Sequence, residues 1–566
     1  MQWIFKTYDP DQLLIFCRSY GLEPLYGKIL LTRGIVQQKQ LEEYFNPKTE
    51  YLYNPFLMKD MQKAIIRLHK ALETGEKILV YGDYDVDGIT AASIIYLFFK
   101  NLDAKITYYI PDREKEGYGL SREGIDWAAT QGISLIITCD CGINAIDKVQ
   151  YASDKGIEII ITDHHEPSLE LPPALAIVNP KQEDDIYPEK NLCGAGVAFK
   201  LIQGYCQYHN LDEEIAYEYL DFVALGTAAD MVNITGENRV LMSEGLRKIN
   251  TGKNRVGLKA LMNVSRIFPE EMDVSKIVFG IAPRLNAVGR LGEASRAIKL
   301  LITEDPQEAK MYSEILDNEN TLRRVIEKDV LEEAIQDIEK RYANRLPNIL
   351  ILHNPGWHPG VIGIVASKIK EIYHRPVIMI AFQDDVGKGS GRSINGFDLY
   401  DALHAHEKWL KTYGGHFMAA GLTIERKNLD KFIKDLHKFA DDTISKDLLE
   451  PRIYIDTEIE IEQINMALLT FLDRLRPFGP GNMSPKFCLR NVYPERARLI
   501  GDNHLKFRGN KHHNSLDCIG WNLGDDLSFV SDTTKAVDLV FVPSINEWNG
   551  TRSIQLVVKA IKPHEE

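Results

Sequence analysis

Three aspartates fall within five residues in YGDYDVDG: Asp83, Asp85 and Asp87, directly after the apolar run KILVY. A carboxylate beside a helix start most simply caps it, and one would be enough for that. Three packed together repel one another unless a cation offsets their charge. Groups of the same kind follow other apolar runs. Asp140 follows SLIITC, Asp163, His164 and His165 follow IEIIIT, and Asp230 closes FVALGTAAD. Carboxylate mixed with imidazole suits Mn²⁺ or a similar divalent ion, with Mg²⁺ as the alternative and structural zinc a poorer fit. There are enough acids for two ions. Such a pair activates water and stabilises charge on a phosphoryl group, so the expected chemistry is hydrolysis of a phosphate ester or anhydride without a covalent intermediate. A calcium loop is the rival for DYDVDG. Its twelfth position from Asp83 is Ile94 where a Glu is required, and a strand pattern rather than a helix precedes it.

The segments carrying these groups predict their own arrangement. KILVYGD, AKITYYIP, SLIITCD, IEIIITD and ALAIVNP are short apolar or β-branched runs, several separated by helical patterns such as ITAASIIYLFFKNL and SREGIDWAATQ. That alternation predicts a parallel sheet covered on both faces, and ligands of such sheets sit beyond the carboxyl ends of the strands. The expected organisation has five parts. Residues 1–75 form an N-terminal helical region and 76–290 an α/β catalytic domain. A charged helical connector spans 291–345, with Pro306 at a break or helix start; a second α/β lobe covers 346–450. In 451–566 short strands alternate with Gly/Asn turns, the pattern of a small barrel.

At this point the chain resembles the DHH phosphoesterase family, and within it the bacterial exonucleases specific for single-stranded DNA. The resemblance rests on YGDYDVDG, PDREKEGYG (111–119), TCDCG (138–142), TDHH (162–165), ALGTAADMV (224–232) and APRLNAVGR (282–290). It continues through GWHPGVIGIVASK (356–368), GSGRS (389–393), YGGHFMAAG (413–421) and RPFGPGN (476–482), and so covers most of the chain. It implies a DHH-type catalytic domain, a DHHA1-type second lobe and an oligonucleotide-binding (OB-like) barrel. The implied activity releases mononucleotides from the 5′ end of single-stranded DNA with two ions, Mn²⁺ or Mg²⁺, during recombination and repair. A helicase and a single-strand-binding protein are the implied partners.

Carried over by motif, Asp83, Asp85, Asp87, Asp140, His164 and Asp230 hold the metals, and His165 orients or protonates the scissile phosphate. Asp163 ties down a histidine ring nitrogen. Arg113 and Arg284, assisted by Asn286, grip the 5′-terminal phosphate, because Arg matches phosphate bidentately. Arg392, Ser393, Gly414, Gly415 and His416 form the phosphate-facing part of the second lobe, with His358 at the groove. Lys506, Phe507, Arg508, Trp521 and Trp548 are the barrel candidates for base stacking and backbone contact, and Phe478 packs at the interface. The rivals are a short-oligonucleotide, cyclic-dinucleotide or pyrophosphate hydrolase of the same superfamily, and a catalytically silent DNA-binding scaffold.

Composition sets outer limits. The 566 residues carry 67 Lys+Arg against 81 Asp+Glu, a formal charge of −14, which excludes a uniformly basic nucleic-acid binder but not a local basic groove. Residues 451–566 hold 14 basic against 15 acidic residues, so nearly all the negative charge lies in the first 450. Seven scattered cysteines fit free thiols in a reducing cytoplasm better than a disulfide framework. No long uncharged apolar stretch predicts a membrane span, no signal peptide is read at MQWIFKTYDP, and a monomer is expected.

Overall fold

The computed structural model describes residues 1–566 except Glu114, Asn344, Asp502, Asn549 and Glu566, together with the side chains of Leu291 and Trp548. A five-stranded parallel sheet runs in the order Lys105–Tyr109, Lys77–Gly82, Leu135–Cys139, Glu158–Thr162, Ala176–Val178. These strands are nearly continuous apolar runs because helices cover both faces. Val86–Lys100, Gly194–Tyr208 and Leu220–Ala229 pack on one side, and Arg122–Thr130 with Ile146–Asp154 on the other. Register aligns the strand ends: Gly82 pairs with Cys139, Cys139 with Thr162, and Thr162 with Val178. The next residues are therefore Asp83, Asp140 and Asp163. Their N–H groups continue the ladder to Cys139 O, Thr162 O and Val178 O at 3.2, 2.9 and 3.2 Å.

Helix Pro306–Arg341 links this domain to the second lobe. Asp305 caps it and Pro306 occupies its first turn, and 36 residues give a length of about 54 Å. Its first half packs on the catalytic core through Ala309 and Leu316, and its second half on the second lobe through Val330, Ala334 and Ile338. Two ion pairs near its middle fasten it to each. Asp317 pairs with Arg284 of the catalytic domain, and Glu327 pairs with Lys368 of the second lobe. The second-lobe sheet runs Leu410–His416, Ala419–Glu425, Val386–Arg392, Val377–Gln383, Leu350–Asn354, antiparallel except for its last pair. The C-terminal strands form a six-stranded sheet that closes on itself where Phe487–Ile500 pairs with Val537–Trp548, the expected barrel.

Residues 1–75 do not form a region of their own. Gln2–Phe5 is a strand paired with Arg452–Ile455. Helices Pro10–Tyr20 and Pro24–Leu31 bury Phe16, Leu25, Ile29 and Leu30 in one core with Leu468, Phe471 and Phe487. Met58, with Leu52, Phe56 and Leu57, and helix Met61–Thr74 pack instead on the catalytic core. Short amphipathic helices show which face is apolar but not what will cover it. All seven cysteines are free and buried, and no helix among the described residues is long and apolar enough to cross a membrane.

Candidate metal centre and phosphate cleft

Each carboxylate is delivered by a local device. Asp85 caps helix Val86–Lys100, its Oδ1 accepting from Gly88 N at 3.0 Å, so the simple capping reading of the motif is true of this one residue. Asp87 lies in the first turn and accepts from Gly194 N and Ala195 N at 2.5 and 2.9 Å. The N-terminus of helix Gly194–Tyr208 is thereby aimed at its charge. Asp140 has φ +62°, a left-handed backbone costing a non-glycine residue about 1–3 kcal/mol, at the point where the chain leaves its strand. Glycines make room: a Cβ at Gly88, Gly194 or Gly226 would lie 2.7, 2.5 or 2.5 Å from Asp83, Asp140 or Asp87 respectively. The last two glycines sit in plain helical sequence, and their role becomes visible only from what packs against them.

Ligand-type atoms converge here in three overlapping sets, each within 4.8 Å: Asp83–Asp85–Asp140, Asp87–His164–Asp230 and Asp140–His164–His165. Asp83, Asp87, Asp140 and His164 are buried. His164 Nε2 lies 3.0 Å from Asp140 Oδ1 and 3.7 Å from both Asp87 Oδ2 and Asp230 Oδ2. Yet Asp83 Oδ1, Asp140 Oδ1 and His164 Nε2 are buried without an aligned hydrogen-bond partner. Buried lone pairs facing one another without donors are costly in a protein interior. A divalent cation removes that cost, so the donor set fits one. Electrostatics agree. Burial, then the neighbouring carboxylates, push Asp140 well above the usual carboxylate range, and the same two causes push Asp230 up to about 8. Burial lowers His164, favouring the neutral imidazole that ligates metal.

His165 is held differently. Asp163, buried among backbone donors, accepts from Ile143 N, His164 N and His165 N and contacts His165 Nδ1 at 2.7 Å. Burial alone would lower the imidazole, but the Asp163 hydrogen bond and charge outweigh it and hold His165 at about 9. Tyr118 closes the edge, its hydroxyl donating to Asp140 O at 3.1 Å and lying 3.3 Å from the His165 ring nitrogens.

A second, cationic feature lies between the catalytic domain and the second lobe. Arg113, Arg290, Arg392, Ser390, Gly360, Gly414 and Gly415 line a cleft of ≈590 Å³. The Arg113 guanidinium stacks over Tyr84 of the aspartate motif at 5.2 Å. Arg392 Nη1 donates to Ser390 Oγ at 3.1 Å and Gly391 O at 2.7 Å. Arg290 donates to Gly360 O, and burial with the charges of Arg113, Arg323 and Arg392 lowers it to about 10. Cations crowded in a partly dry cleft favour an anion.

Comparison with known proteins decides the family. Residues 77–227 match the DHH family N-terminal domain, 346–442 the DHHA1 domain and 455–560 the RecJ OB domain. The chain is 36% identical over 563 residues to the single-stranded-DNA-specific exonuclease RecJ of Bacillus subtilis (strain 168), covering 99% of this chain and 70% of that protein. To RecJ of Escherichia coli (strain K12) it is 35% identical, with 96% of both chains covered. This chain belongs to the RecJ family. The crystal structure of RecJ in complex with Mn²⁺ from Thermus thermophilus superposes with a TM-score of 0.86 at 29% identity, covering 100% of this chain and 80% of that one.

Within this RecJ-family fold, Asp83, Asp85, Asp87, Asp140, Asp163, His164, His165 and Asp230 lie together at one sheet edge. Arg113, Arg392, Gly414 and Gly415 line the cleft, and His358 lines an adjoining recess with Arg113 and Arg290. Other candidates fall elsewhere. Arg284 is turned away: its guanidinium is taken by Asp317, Gly280 O and Val264 O, so it fastens the connector and leaves the cleft to Arg290 of the same motif. Ser393 is fully buried and donates to Phe397 O at 2.6 Å, while Ser390 of the same GSGRS faces Arg392. Asn286 Oδ1 accepts from Val86 N at 3.2 Å, supporting the metal-motif helix rather than a phosphate. His416 ends an edge strand outside the residues lining the cleft. In the barrel, Phe507 is core, while Trp521 stands 53% exposed against His504. Arg508 pairs with Asp517, Lys506 lies opposite Arg498 and Ile519, and Phe478 carries Arg476 over its ring. The Trp548 side chain lies outside the described residues.

Arg290, Ser390 and Tyr118 were not singled out from sequence. Each belongs to a motif already quoted, but motif spacing does not say which of two arginines or two serines faces the ligand.

Proposed function

We propose that this RecJ-family chain removes mononucleotides from the 5′ end of single-stranded DNA, in recombination and repair, by hydrolysis at a centre for two divalent ions, Mn²⁺ or Mg²⁺. The observation that carries the reading is the pairing of a buried carboxylate–imidazole cluster with an arginine-lined cleft at the same interdomain face. Asp83, Asp85, Asp87, Asp140, His164 and Asp230 would hold the ions. Bound there, they supply an activated water and stabilise charge on the phosphoryl oxygens.

The chain's own groups account for the rest. His165, kept protonated near neutral pH by Asp163, donates to an oxygen of the scissile phosphate or its leaving group. Arg113, Arg290 and Arg392 hold the 5′-terminal phosphate, which places the first internucleotide linkage over the carboxylates. Bidentate recognition of a terminal phosphate selects 5′-phosphorylated ends and sets direction. The functional units are a catalytic domain at 76–290, a connector at 291–345, a substrate lobe at 346–450 and a strand-binding barrel at 451–566. The working state is a monomer in the cytoplasm, acting with a helicase and a single-strand-binding protein.

The test is digestion of single strands labelled at one end, with Mn²⁺ and Mg²⁺ compared. Mononucleotides released from the 5′ end are expected. Release only from the 3′ end, or activity confined to dinucleotides, refutes the reading.

A further inference from the structure

The carboxyl edge of the catalytic sheet carries more than the metal ligands. Taken in strand order it reads Arg113 after Lys105–Tyr109, the three aspartates after Lys77–Gly82, Asp140 after Leu135–Cys139, and Asp163, His164 and His165 after Glu158–Thr162. The last strand, Ala176–Val178, is followed by Asn179 and Lys181, to which neither the metal centre nor the arginine cleft gives a part. Neighbouring strands lie about 4.8 Å apart, so the outer strands stand about 19 Å apart with the carboxylates between them. An arginine marks one end of this edge and a lysine the other.

Local bonds fix where Lys181 stands. Asn179 is fully buried; its Nδ2 donates to His165 O at 2.9 Å and its Oδ1 accepts from Lys181 N at 2.8 Å. The turn bearing Lys181 is thereby tied to the backbone of the histidine motif. Among the described residues the Lys181 ammonium meets one carboxylate, Glu166 Oε1 at 3.1 Å, and Glu166 directly follows His165. The Glu166 side chain is 67% exposed and an ammonium has three donors, so this pair is weak and leaves donors free. The neighbouring Lys190 differs: it spends its ammonium on Pro180 O and Asp185 O, both at 2.7 Å, and holds the loop. The Lys181 charge bears on His164 and Asp230, on the side of the centre away from Arg113. From Asp230 the chain soon reaches Ile234, whose N–H donates to Pro480 O of the segment entering the barrel. Lys181 thus stands on the barrel side of the carboxylates and Arg113 on the other.

We propose that Lys181 binds the phosphate that follows the scissile linkage, on the 3′ side of the metal centre. The proposal rests on the exonuclease reading above. With the 5′-terminal phosphate on the arginines and the first internucleotide linkage over the carboxylates, the next linkage falls on the Lys181 side. Glu166 holds the ammonium when no strand is bound and yields it to the phosphate, a charge-assisted partner. A trinucleotide is then a better substrate than a dinucleotide, because only the trinucleotide carries that phosphate. The lysine in this way favours strands over the two-nucleotide remnant at the end of digestion.

The test uses the full chain with Mn²⁺ and compares kcat/KM on three 5′-phosphorylated substrates. They are a dinucleotide, a trinucleotide, and a trinucleotide whose second linkage is an uncharged methylphosphonate. The parent should lose about tenfold when the methylphosphonate replaces the phosphate, the factor that 1.4 kcal/mol produces. Lys181→Met should show the same loss on the natural trinucleotide and no further loss on the methylphosphonate. Lys181→Arg should keep most of the trinucleotide preference, and Glu166→Gln, which frees the ammonium, should strengthen it. Equal losses for Lys181→Met on dinucleotide and trinucleotide overturn the proposal, because the lysine would then act on the metal centre or the fold. So does a methylphosphonate penalty as large in Lys181→Met as in the parent, or a trinucleotide preference weakened by Glu166→Gln. Release from the 3′ end by the parent chain would instead refute the exonuclease reading, whatever the variants do.

Discussion

Arg290→Met should separate stability from function in opposite directions. The guanidinium is partly buried, and burial together with Arg113, Arg323 and Arg392 lowers it from its ordinary value to about 10. It stays charged at neutral pH, so the fold carries a cost of roughly 3 kcal/mol for holding that charge. For a base whose folded pKa is depressed, this cost is fully present below about 10 and fades only above it. Replacement by Met also gives up the donation to Gly360 O at 3.2 Å, worth about 1 kcal/mol. The net expectation is a gain on the order of 2 kcal/mol, read as a raised thermal midpoint without DNA. Loss of one charge-assisted contact to a terminal phosphate costs about 1.5–3 kcal/mol, or roughly 10- to 150-fold in kcat/KM. That loss should appear on 5′-phosphorylated strands and not on 5′-hydroxyl ones. Arg284→Ala is the internal control. It breaks the Asp317 pair and should lower stability while leaving the phosphate-to-hydroxyl ratio alone. Equal losses on both strand types, or a changed ratio for Arg284→Ala with none for Arg290→Met, would refute the assignment of the cleft.

Three further outcomes follow from the geometry. Asp163→Asn should move the alkaline limb of the kcat profile to lower pH, because Asp163 is what holds His165 up. In chelator, the stability contributed by that raised imidazole is complete below about 6.5 and lost as pH climbs through about 9, so the variant should lose this slope in thermal unfolding across the window. Mn²⁺ added to chelated protein should raise the unfolding free energy by about 2.7 kcal/mol at a hundredfold excess over its Kd; Asp140→Asn should weaken this response and abolish turnover, and a full response in the variant would count against the centre. In the barrel, Phe507→Ala should cost about 3–5 kcal/mol of stability, whereas Trp521→Ala should spare stability and weaken single-strand binding by about 1–3 kcal/mol, as read by titration with an oligonucleotide.

Much of the catalytic domain was legible because its signals are local. A run such as LIITC or EIIIT is a strand buried on both faces, and in a parallel sheet the residues after such runs share one edge. Asp83, Asp140 and Asp163 could therefore be placed together from spacing alone, and the register confirms that they start from one level. The connector was legible for a similar reason: Asp305-Pro306 ahead of a long charged stretch is a helix start. The family motifs extended this to the second lobe and the barrel.

What the tertiary structure alone decided concerns direction and partnership. Arg284 and Arg290 share a motif on one helix six residues apart, yet one faces the connector and the other the cleft. Ser390 and Ser393 divide in the same way, and Asn286 turns to a backbone N–H instead of a phosphate. A motif carries residue types and spacing, but which side of an element meets a ligand depends on the packing of other elements against it. Residues 1–45 make the same point on a larger scale. Their apolar faces were evident in sequence, but the surface covering them lies more than 400 residues away, in the barrel and the strand that leads into it. Amphipathic pattern determined that those faces are buried; only the closed fold decided against what.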